Sequence, residues 1–277
     1  MPKVHAQKPG PKTESRDWYD TPLYYDIIFD SDTEKEADFL EAMVERHGRV
    51  RKRGKALRVL EPACGSGRLV AALARRGHVV DGFDLNEHML AYATERLAQH
   101  RPKLQATLWQ NRMEDFRVPG KRRHDLAHCL VSTFKYVMEE EGAQSHLRRV
   151  ADSLYQGGLY VLGLHLTDYR DLREHHERWV GEREGIHVVC NTHTAIPSQR
   201  TRTEDLRTRL RITRDGKKWT QETKWQFRTY NAAQMKRLLA TAPDLELVAC
   251  HDFIYDVGEE RAFDDSYGDI VLVLRKR

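Results

Sequence analysis

Two acidic residues and two glycines early in the sequence have the types and the spacing of a crevice that binds a nucleoside. Residues 59–69 read as an apolar strand, a turn containing Gly65 and Gly67, and the start of a helix. Glycine has no Cβ, so such a turn tolerates unusual backbone angles and lets the backbone lie close to a ligand. A second apolar run ends at Asp84, where a carboxylate is placed to accept hydrogen bonds from a ribose diol. The segment therefore predicts a strand, a turn, a helix and a strand, with a nucleoside bound over the turn.

Glu61 and Val70 distinguish this turn from a dinucleotide-binding fingerprint. Val70 occupies the position of the third glycine, and Glu61 lies at the tip of the first strand. A carboxylate there repels a pyrophosphate but stabilises a cation where water is partly excluded. The ligand that fits is a nucleoside carrying an ammonium and a sulfonium, which predicts S-adenosylmethionine as the cofactor. An ordinary strand-to-helix turn and a nicotinamide site are the alternatives.

These residues resemble the class I (Rossmann-like) methyltransferases that use S-adenosylmethionine. Residues 61–67 are similar to the first motif of that family and residues 82–90 to its second. The resemblance covers residues 20–167 by motif and residues 231–274 by pattern only. It implies that a Tyr-Asp pair such as Tyr25-Asp26 closes over the methionine end, and that Met113 with Glu114 or Asp115 flanks the adenine. The residues expected to bind the cofactor are Tyr25, Glu61, Ala63, Cys64, Gly65, Ser66, Gly67, Asp84, Leu85, Met89, Met113, Glu114 and Leu130.

Strand and helix patterns alternate through most of the chain, which predicts an α/β fold with a doubly wound, mostly parallel sheet. The resemblance implies seven strands, the last two set antiparallel at the sheet edge. The predicted strands are 56–61, 78–83, 104–109, 125–131, 159–164, 245–253 and 270–274, and the predicted helices are 34–46, 68–76, 86–100, 141–154 and 232–239.

About sixty residues between the fifth strand and the helix at 232 are too long for a simple crossover. Residues 206–213 alternate between apolar or Thr side chains and Arg207, Arg209 and Arg211, and residues 219–230 alternate back after Asp215-Gly216. This pattern predicts an antiparallel hairpin, joined by residues 186–190 in a small sheet over the mouth of the crevice. We expect residues 170–230 to form a small β-rich lid, residues 17–169 with 231–277 to form the methyltransferase domain, and residues 1–16 to form a mobile tail.

The residues that follow the fourth and fifth strands are the candidates for catalysis. Methyl transfer needs alignment, exclusion of water and, for some acceptors, removal of a proton. His165 ends the fifth strand and is the candidate base, because the ordinary pKa of histidine, about 6.5, leaves it able to accept a proton at neutral pH. A packing role is the alternative for His165, and His128 within the fourth strand is interpreted as a core residue. Thr133 and Tyr136 are candidate orienting groups, and Tyr169, Trp179 and Arg209 are candidate contacts to the acceptor.

The composition favours a cytoplasmic protein, and the resemblance, to small-molecule methyltransferases with a β-rich lid after the fifth strand, implies transfer of a methyl group to a nitrogen or oxygen of a small molecule. No run approaches the roughly 20 apolar residues of a membrane span, no signal-peptide core is present, and the four cysteines form no pair with metal-ligand spacing. The net charge is +4, and the basic runs at 46–55, 121–123 and 275–277 are interpreted as solvated loops rather than nucleic-acid contacts. A methyltransferase for RNA or protein and a non-catalytic binding module are the alternatives, and a homodimer is left open.

His175-His176-Glu177 is the one run that suggests a metal ligand set. Adjacent histidines on a helix point about 100° apart and do not readily chelate one ion. We therefore expect no metal site.

Overall fold

The structure, a computed structural model, describes residues 13–49 and 56–277. These residues form two β-sheets and six α-helices. The strands are β1 (Thr13–Ser15), β2 (Arg58–Pro62), β3 (Val79–Asp84), β4 (Ala106–Gln110), β5 (His124–Cys129), β6 (Leu154–His165), β7 (His175–Arg183), β8 (Ile186–Thr194), β9 (Thr203–Arg214), β10 (Lys217–Arg228), β11 (Leu245–His251) and β12 (Asp269–Lys276). The helices are α1 (Pro22–Phe29), α2 (Thr33–His47), α3 (Arg68–Arg75), α4 (Glu87–Ala98), α5 (Glu140–Ser153) and α6 (Ala232–Ala240).

The larger sheet has seven strands in the order β11-β12-β6-β5-β2-β3-β4. Only β12 runs antiparallel to its neighbours, and the other neighbouring pairs are parallel. One hydrophobic core, on one face, includes residues of α5 and α6, and a second core includes residues of α2 and α3. Strands covered on both faces are mostly apolar, and the central residues of β2 and β5 are buried apolar side chains: Val59, Leu60, Leu126 and Ala127. The predicted doubly wound sheet is confirmed.

Most predicted elements differ from the observed ones by a few residues at their ends. The exception is β6, which begins at Leu154 rather than at residue 159. Gly157 and Gly158 lie inside this strand. Gly157 has a φ of 82°, and a Cβ there would lie 2.5 Å from the Cβ of Arg49. These glycines bend the strand past a neighbouring segment and do not end it.

The smaller sheet has five strands in the order β1-β10-β9-β8-β7. The predicted hairpin is present as β9 and β10, and its turn residues Asp215 and Gly216 have φ values of 50° and 72°. Two positive φ angles are typical of the type I′ turn that joins twisted antiparallel strands. In β9, Leu206, Thr208, Leu210 and Ile212 are buried, as the alternation predicted.

Two strands of the smaller sheet were not predicted. His175-His176-Glu177 belongs to β7 and not to a helix, so neighbouring side chains point to opposite faces. Thr13–Ser15 pairs in parallel with β10, and the Arg16 N–H donates to the carbonyl oxygen of Glu222 at 3.0 Å. The prediction of a mobile tail through residue 16 is therefore wrong for residues 13–16, because β10 offers them an open sheet edge. Residues 1–12 and most of the basic run 46–55 lie outside the described residues.

Helix α1 connects the two sheets. Its Ile28 packs with Trp18 and with Val188, Leu210 and Ile212 of the smaller sheet in a third hydrophobic cluster.

Among the described residues, no helix has both the length and the apolar character needed to cross a bilayer.

Candidate active site

Three adjoining cavities open at the carboxyl ends of the parallel strands, where open α/β sheets bind their ligands. The Glu61 compartment, about 160 Å³, is lined by the end of β2 and the start of α3. The Asp84 compartment, about 900 Å³, is lined by residues that follow β3 and β4. The aromatic compartment, about 500 Å³, lies between the two sheets. Tyr25 and Thr133 line all three cavities, so a reaction that joins ligands in different compartments would occur beside them.

Glu61 is a buried acid without a full set of partners. Its side chain is 10% exposed, and its Oε2 atom has no hydrogen-bond partner among the described residues. Burial raises the pKa of Glu61 to about 8, although Arg68 acts in the opposite direction. Leaving a buried acceptor unpaired costs free energy. A cationic ligand in this compartment would remove that cost.

His128 lies next to Glu61, with its Nε2 atom 3.9 Å from Glu61 Oε2. Both ring nitrogens are buried and lack partners among the residues that the structure covers. Burial lowers the pKa of His128 to about 3, so the ring is neutral. The predicted core position is correct, and it also forms part of the surroundings of Glu61.

Arg68 supplies a positive charge to the same compartment, and the sequence analysis did not identify it. It is the first residue of α3, directly after the second glycine of the turn. Its guanidinium donates to Thr33 Oγ1 at 3.0 Å and to the carboxylate of Glu36. The compartment thus contains both a carboxyl and a guanidinium, which matches a ligand with an ammonium and a carboxylate.

Asp84 is held in one orientation by the backbone. Its carboxylate accepts the N–H of Gly65 and the N–H of Asn86, both at 2.8 Å. Burial raises the pKa of Asp84, whereas these two bonds lower it. Asn86 in turn caps α4 by accepting the N–H of Met89 at 3.0 Å. The predicted acid therefore lies beside the glycine turn, at the wall of the largest cavity.

Gly65 lies between the Glu61 and Asp84 compartments and lines both. Its φ is 52°, and a Cβ at this position would meet no atom within 4 Å. A side chain would therefore extend into open space at the ligand-facing side of the turn. This is the cradle that the sequence predicted.

Eleven of the thirteen predicted cofactor residues line one or more of these cavities. The other two, Gly67 and Met89, do not. A Cβ on Gly67 would lie 2.7 Å from the Cβ of Ala93, so this glycine allows α3 and α4 to approach each other. Met89 is fully buried in the core.

Aromatic side chains surround the third compartment. Trp18 and Trp225 are stacked with ring centroids 4.8 Å apart, and Trp179 and Phe227 also line the cavity. Trp179 lies where it was predicted, whereas Trp18 was not identified from the sequence. The density of aromatic residues between positions 18 and 29 was the available signal.

Lys135 and Glu204 form a buried ion pair in the wall of the aromatic compartment. The Lys135 Nζ atom lies 2.6 Å from Glu204 Oε1, and the side chains are 2% and 11% exposed. Lys135 belongs to the turn after β5 and Glu204 to β9, so the pair joins the two sheets. Neither residue was identified from the sequence.

His165 lines the aromatic compartment and is oriented by two polar contacts. Its Nδ1 atom is hydrogen-bonded to the carboxylate of Asp269, the residue directly opposite on β12. Its backbone N–H donates to Ser132 Oγ at 2.9 Å. The bond to His165 lowers the pKa of Asp269. An Nδ1–H that donates to this carboxylate leaves Nε2 as the basic nitrogen.

The backbone before Thr133 is strained. Val131 and Ser132 have φ values of 56° and 64°, a region that a β-branched residue such as valine rarely adopts. Strain of this kind persists only where the surrounding structure fixes the backbone, and it clusters at functional sites. Here it brings Thr133 to the junction of the three cavities.

The tyrosines of this site act as neutral hydroxyl groups. The Tyr19 hydroxyl donates to the Tyr136 oxygen at 2.8 Å. Burial raises the pKa of Tyr136 far above its usual range and that of Tyr25 to about 12. These side chains can orient a ligand by hydrogen bonding but are not bases at neutral pH.

Two residues predicted to contact the acceptor lie elsewhere. The Tyr169 hydroxyl bonds to Thr229 Oγ1 at 2.7 Å and to Gln234 Oε1 at 3.1 Å, and Tyr169 lines none of the three cavities. Arg209 is paired with Glu222 on the outer face of the smaller sheet, with Nε 2.6 Å from Oε2. Tyr169 ties a loop to α6, and Arg209 belongs to a half-exposed sheet face.

Comparisons with known proteins agree with this geometry. Residues 59–158 match the family model of the methyltransferase domain. The chain is 29% identical over 141 residues to a dTDP-3-amino-3,6-dideoxy-α-D-glucopyranose N,N-dimethyltransferase of Streptomyces fradiae, which covers 50% of each protein. The chain spans about half the length of the curated relatives it matches.

Two solved structures have the same fold along nearly the whole chain. An S-adenosylmethionine-dependent methyltransferase from Clostridium acetobutylicum ATCC 824 aligns with a TM-score of 0.72 at 16% identity, over 94% of this chain and 98% of that one. The sugar N-methyltransferase KedS8 from Streptoalloteichus sp. ATCC 53650 aligns with a TM-score of 0.70 at 20% identity, over 100% of both chains. Residues 59–158 are therefore a methyltransferase domain, and the chain has the class I, Rossmann-like methyltransferase fold.

Proposed function

We propose that the protein transfers a methyl group from S-adenosylmethionine to an amine of a small molecule in the cytoplasm. The observation that carries this proposal is the buried carboxyl of Glu61 beside Arg68, whose Oε2 atom has no partner among the described residues. It lies in a cavity that adjoins the Asp84 compartment. An acid and a guanidinium suit the ammonium and the carboxylate of an amino acid. The free, buried cysteines agree with a reducing compartment.

The residues that would hold the cofactor divide among two compartments. Glu61, Arg68 and the backbone at Gly65 would bind the methionine end, and Asp84 would accept hydrogen bonds from the ribose. Met113 and Glu114, which line the Asp84 compartment, would lie against the base. When bound, the cofactor supplies a methyl group activated by its sulfonium. Tyr25 and Thr133, at the junction of the cavities, would align the reacting groups and exclude water.

The aromatic compartment favours an amine that carries hydrogen-bonding groups. Aromatic faces attract cations, and the carboxylates of Asp168, Glu177 and Glu204 line the same cavity. The indole N–H groups of Trp18 and Trp225 are buried without partners among the described residues, so an acceptor with hydroxyl oxygens would satisfy them. An amino sugar has both features. The names of the Streptomyces fradiae relative and of KedS8 support the same class.

Residues 170–230 would act as the lid that selects this acceptor. Trp179, Glu204 and Trp225 reach the aromatic compartment from the smaller sheet. His165 would take the proton from a protonated amine before transfer, with Asp269 fixing its ring. Residues 17–169 and 231–277 would form the catalytic domain.

The test is calorimetry with S-adenosylhomocysteine and with NAD, followed by transfer assays on a panel of amino sugars and small amines. We expect S-adenosylhomocysteine to bind and NAD not to bind.

Asp84→Ala should weaken the binding of S-adenosylhomocysteine by about 1–3 kcal/mol through the loss of charge-assisted hydrogen bonds. Asp152→Ala, an exposed acid on α5, is the control and should bind as the wild type does. Binding of NAD alone, or equal affinity of the Asp84→Ala protein, would refute the proposed site. Failure of every amine with normal cofactor binding would refute the acceptor class only.

A further inference from the structure

A second cluster of polar side chains lies on the opposite edge of the larger sheet, away from the three cavities. His47 ends α2, His251 ends the edge strand β11, and Glu260 belongs to the loop before β12. One ligand atom from each of the three residues lies within 4.8 Å of those of the other two. Nothing in the proposed methyl transfer uses these residues.

His251 is held as a metal-ligating histidine usually is. The residue is 1% exposed, and its Nδ1 atom lies 2.9 Å from the carbonyl oxygen of Glu259 and 3.2 Å from that of Asp256. Carbonyls only accept, so Nδ1 carries the proton and Nε2 carries a lone pair. Donation of the distal N–H to a carbonyl is the usual support for a histidine that binds a metal through its other nitrogen.

The lone pair of His251 has no partner in the part of the chain that the structure describes. The same is true of the Nε2 atom of His47, which is also buried. An unpaired buried polar atom costs free energy. Here two imidazole nitrogens beside one carboxylate both lack a hydrogen-bond partner among the described residues. A divalent cation would satisfy both nitrogens and the carboxylate together.

The arginine side chains around the site have hydrogen-bond partners of their own. Arg275 is neutralised by Glu246, with Nη2 3.0 Å from Oε2, and Arg261 is paired with Asp252 and Glu259. The Nη1 atom of Arg46 donates to the carbonyl oxygen of Val257 at 2.5 Å. Glu260 is the carboxylate that faces the two imidazoles.

We propose that His47, His251 and Glu260 bind one Zn²⁺ ion. Two imidazole nitrogens and a carboxylate suit a borderline metal such as zinc, and three protein ligands leave a fourth position for water. The ion would join the end of α2 to the edge strand and to the loop between β11 and β12. It would therefore stabilise the fold and take no part in the chemistry of the three cavities.

The test is metal binding by the full-length protein after chelator treatment. Zn²⁺ is titrated in competition with a chromophoric chelator, and Co²⁺ is used as a visible-light probe of the ligand set. We expect one equivalent of zinc, a Co²⁺ spectrum of nitrogen and oxygen ligands, and a higher melting temperature with zinc. Glu260→Gln should weaken zinc binding by at least about 10-fold. Glu260 is exposed, so this variant tests the site even where His251→Gln fails to fold.

A second histidine cluster on the smaller sheet provides the matched control. Glu174, His176 and His193 also offer three ligand atoms within 4.8 Å, but His193 Nε2 already bonds to Glu174 Oε2 at 3.0 Å. His193→Gln should leave the single equivalent in place. The proposal would be overturned if the protein took up no zinc, or if the Glu260→Gln and His47→Gln proteins bound zinc with unchanged affinity. It would also be overturned if only the His193→Gln protein lost zinc binding.

Discussion

Glu61 connects ligand binding to pH at the level of a single residue. Its folded pKa is about 8, against an ordinary value of 4.5. Between these two values the native protein holds a proton that the unfolded chain has lost. The unfolding free energy of the ligand-free protein therefore falls as the pH rises from about 5 to about 8. The affinity for a cationic ligand changes in the opposite direction and rises with pH, because the ligand interacts with the ionised carboxylate.

We expect Glu61→Gln to separate these two effects. In the ligand-free protein it should raise the unfolding free energy at pH 8.5 by on the order of a few kcal/mol, and by only about 1 kcal/mol at pH 5.5. Affinity of the wild type for S-adenosylhomocysteine should rise with pH up to about 8, and the variant should bind weakly throughout. Urea denaturation and calorimetry at the two pH values measure both quantities. Glu141→Gln, at an exposed position of α5, is the control. Equal pH dependence in wild type and variant would show that Glu61 is not the titrating group.

His165 and Asp269 make a second prediction at this scale, concerning catalysis rather than binding. If His165 removes a proton from the acceptor, His165→Gln should lower kcat by on the order of 10²-fold or more and leave the affinity for S-adenosylhomocysteine unchanged. Asp269→Asn should lower kcat less and shift its pH profile, because the ring loses the carboxylate that orients it. His187→Gln, on β8, is the control. A wild-type kcat in the His165→Gln protein would exclude it from the reaction.

At the scale of elements, Asp26 on α1 ties together four parts of the chain. Its buried carboxylate accepts from Ser66 Oγ in the glycine turn at 2.6 Å and from Arg183 Nη1 on β7 at 2.8 Å. Arg96 and Tyr92 on α4 bond to the same carboxylate. A single acid thus fixes α1 and the smaller sheet relative to the Glu61 compartment.

We expect Asp26→Asn to destabilise the protein by about 3 kcal/mol. The substitution removes the buried carboxylate nearest to the guanidinium groups of Arg96 and Arg183 and leaves them only the more distant, half-exposed Asp30. Asp38→Asn is the matched control. Asp38 pairs with Arg76 at 2.6 Å but is 72% exposed, so its loss should cost less than about 1 kcal/mol. Urea denaturation of both variants measures the difference. Similar small effects would mean that the four contacts to Asp26 are not coupled.

The elements were predictable from the sequence wherever burial or turn chemistry left a local pattern. The apolar runs of β2, β3 and β5 and the alternation in β9 marked their strands, and Asp215-Gly216 marked the hairpin turn. Strand β7 could not be found in this way, because most of its residues are exposed and it carries no apolar alternation. A sheet edge that faces solvent imposes little on the sequence.

The partners of the site residues were not predictable, because they are distant in sequence. Asp269 meets His165 only through the register of β12 against β6, and Glu204 meets Lys135 only when the smaller sheet closes over the larger one. Glu61 and Asp84 were found because their roles depend on local context, the end of a strand next to a glycine turn. The alternation in β9 showed that the strand has two faces, but it did not show which face lines a cavity, and Arg209 lines none of the three.

At the scale of the whole molecule, the packing of the smaller sheet on α1 depends on the absence of one side chain. Gly181 on β7 lies against α1. A Cβ at this position would lie 2.4 Å from the carbonyl oxygen of Ile27 and 2.9 Å from its Cγ2 atom. The nearest obstacle is backbone, which cannot move aside as a side-chain tip does. Trp179, two residues before Gly181, lines both the Glu61 and the aromatic compartments.

Gly181→Ala should therefore push β7 away from α1 and open the aromatic compartment. Replacing glycine by alanine ordinarily stabilises a protein by about 0.4–1 kcal/mol through the unfolded state, but overpacking against fixed atoms costs about 1–3 kcal/mol. The net effect should be destabilising, with weaker acceptor binding and altered tryptophan fluorescence. Val180→Ala changes the neighbouring residue, which is 49% exposed, and should leave stability and fluorescence nearly unchanged. The two substitutions differ by one position on the same strand, so a difference between them reports on the contact with α1. If the Gly181→Ala protein were more stable than the wild type, the smaller sheet would not pack on α1 in solution.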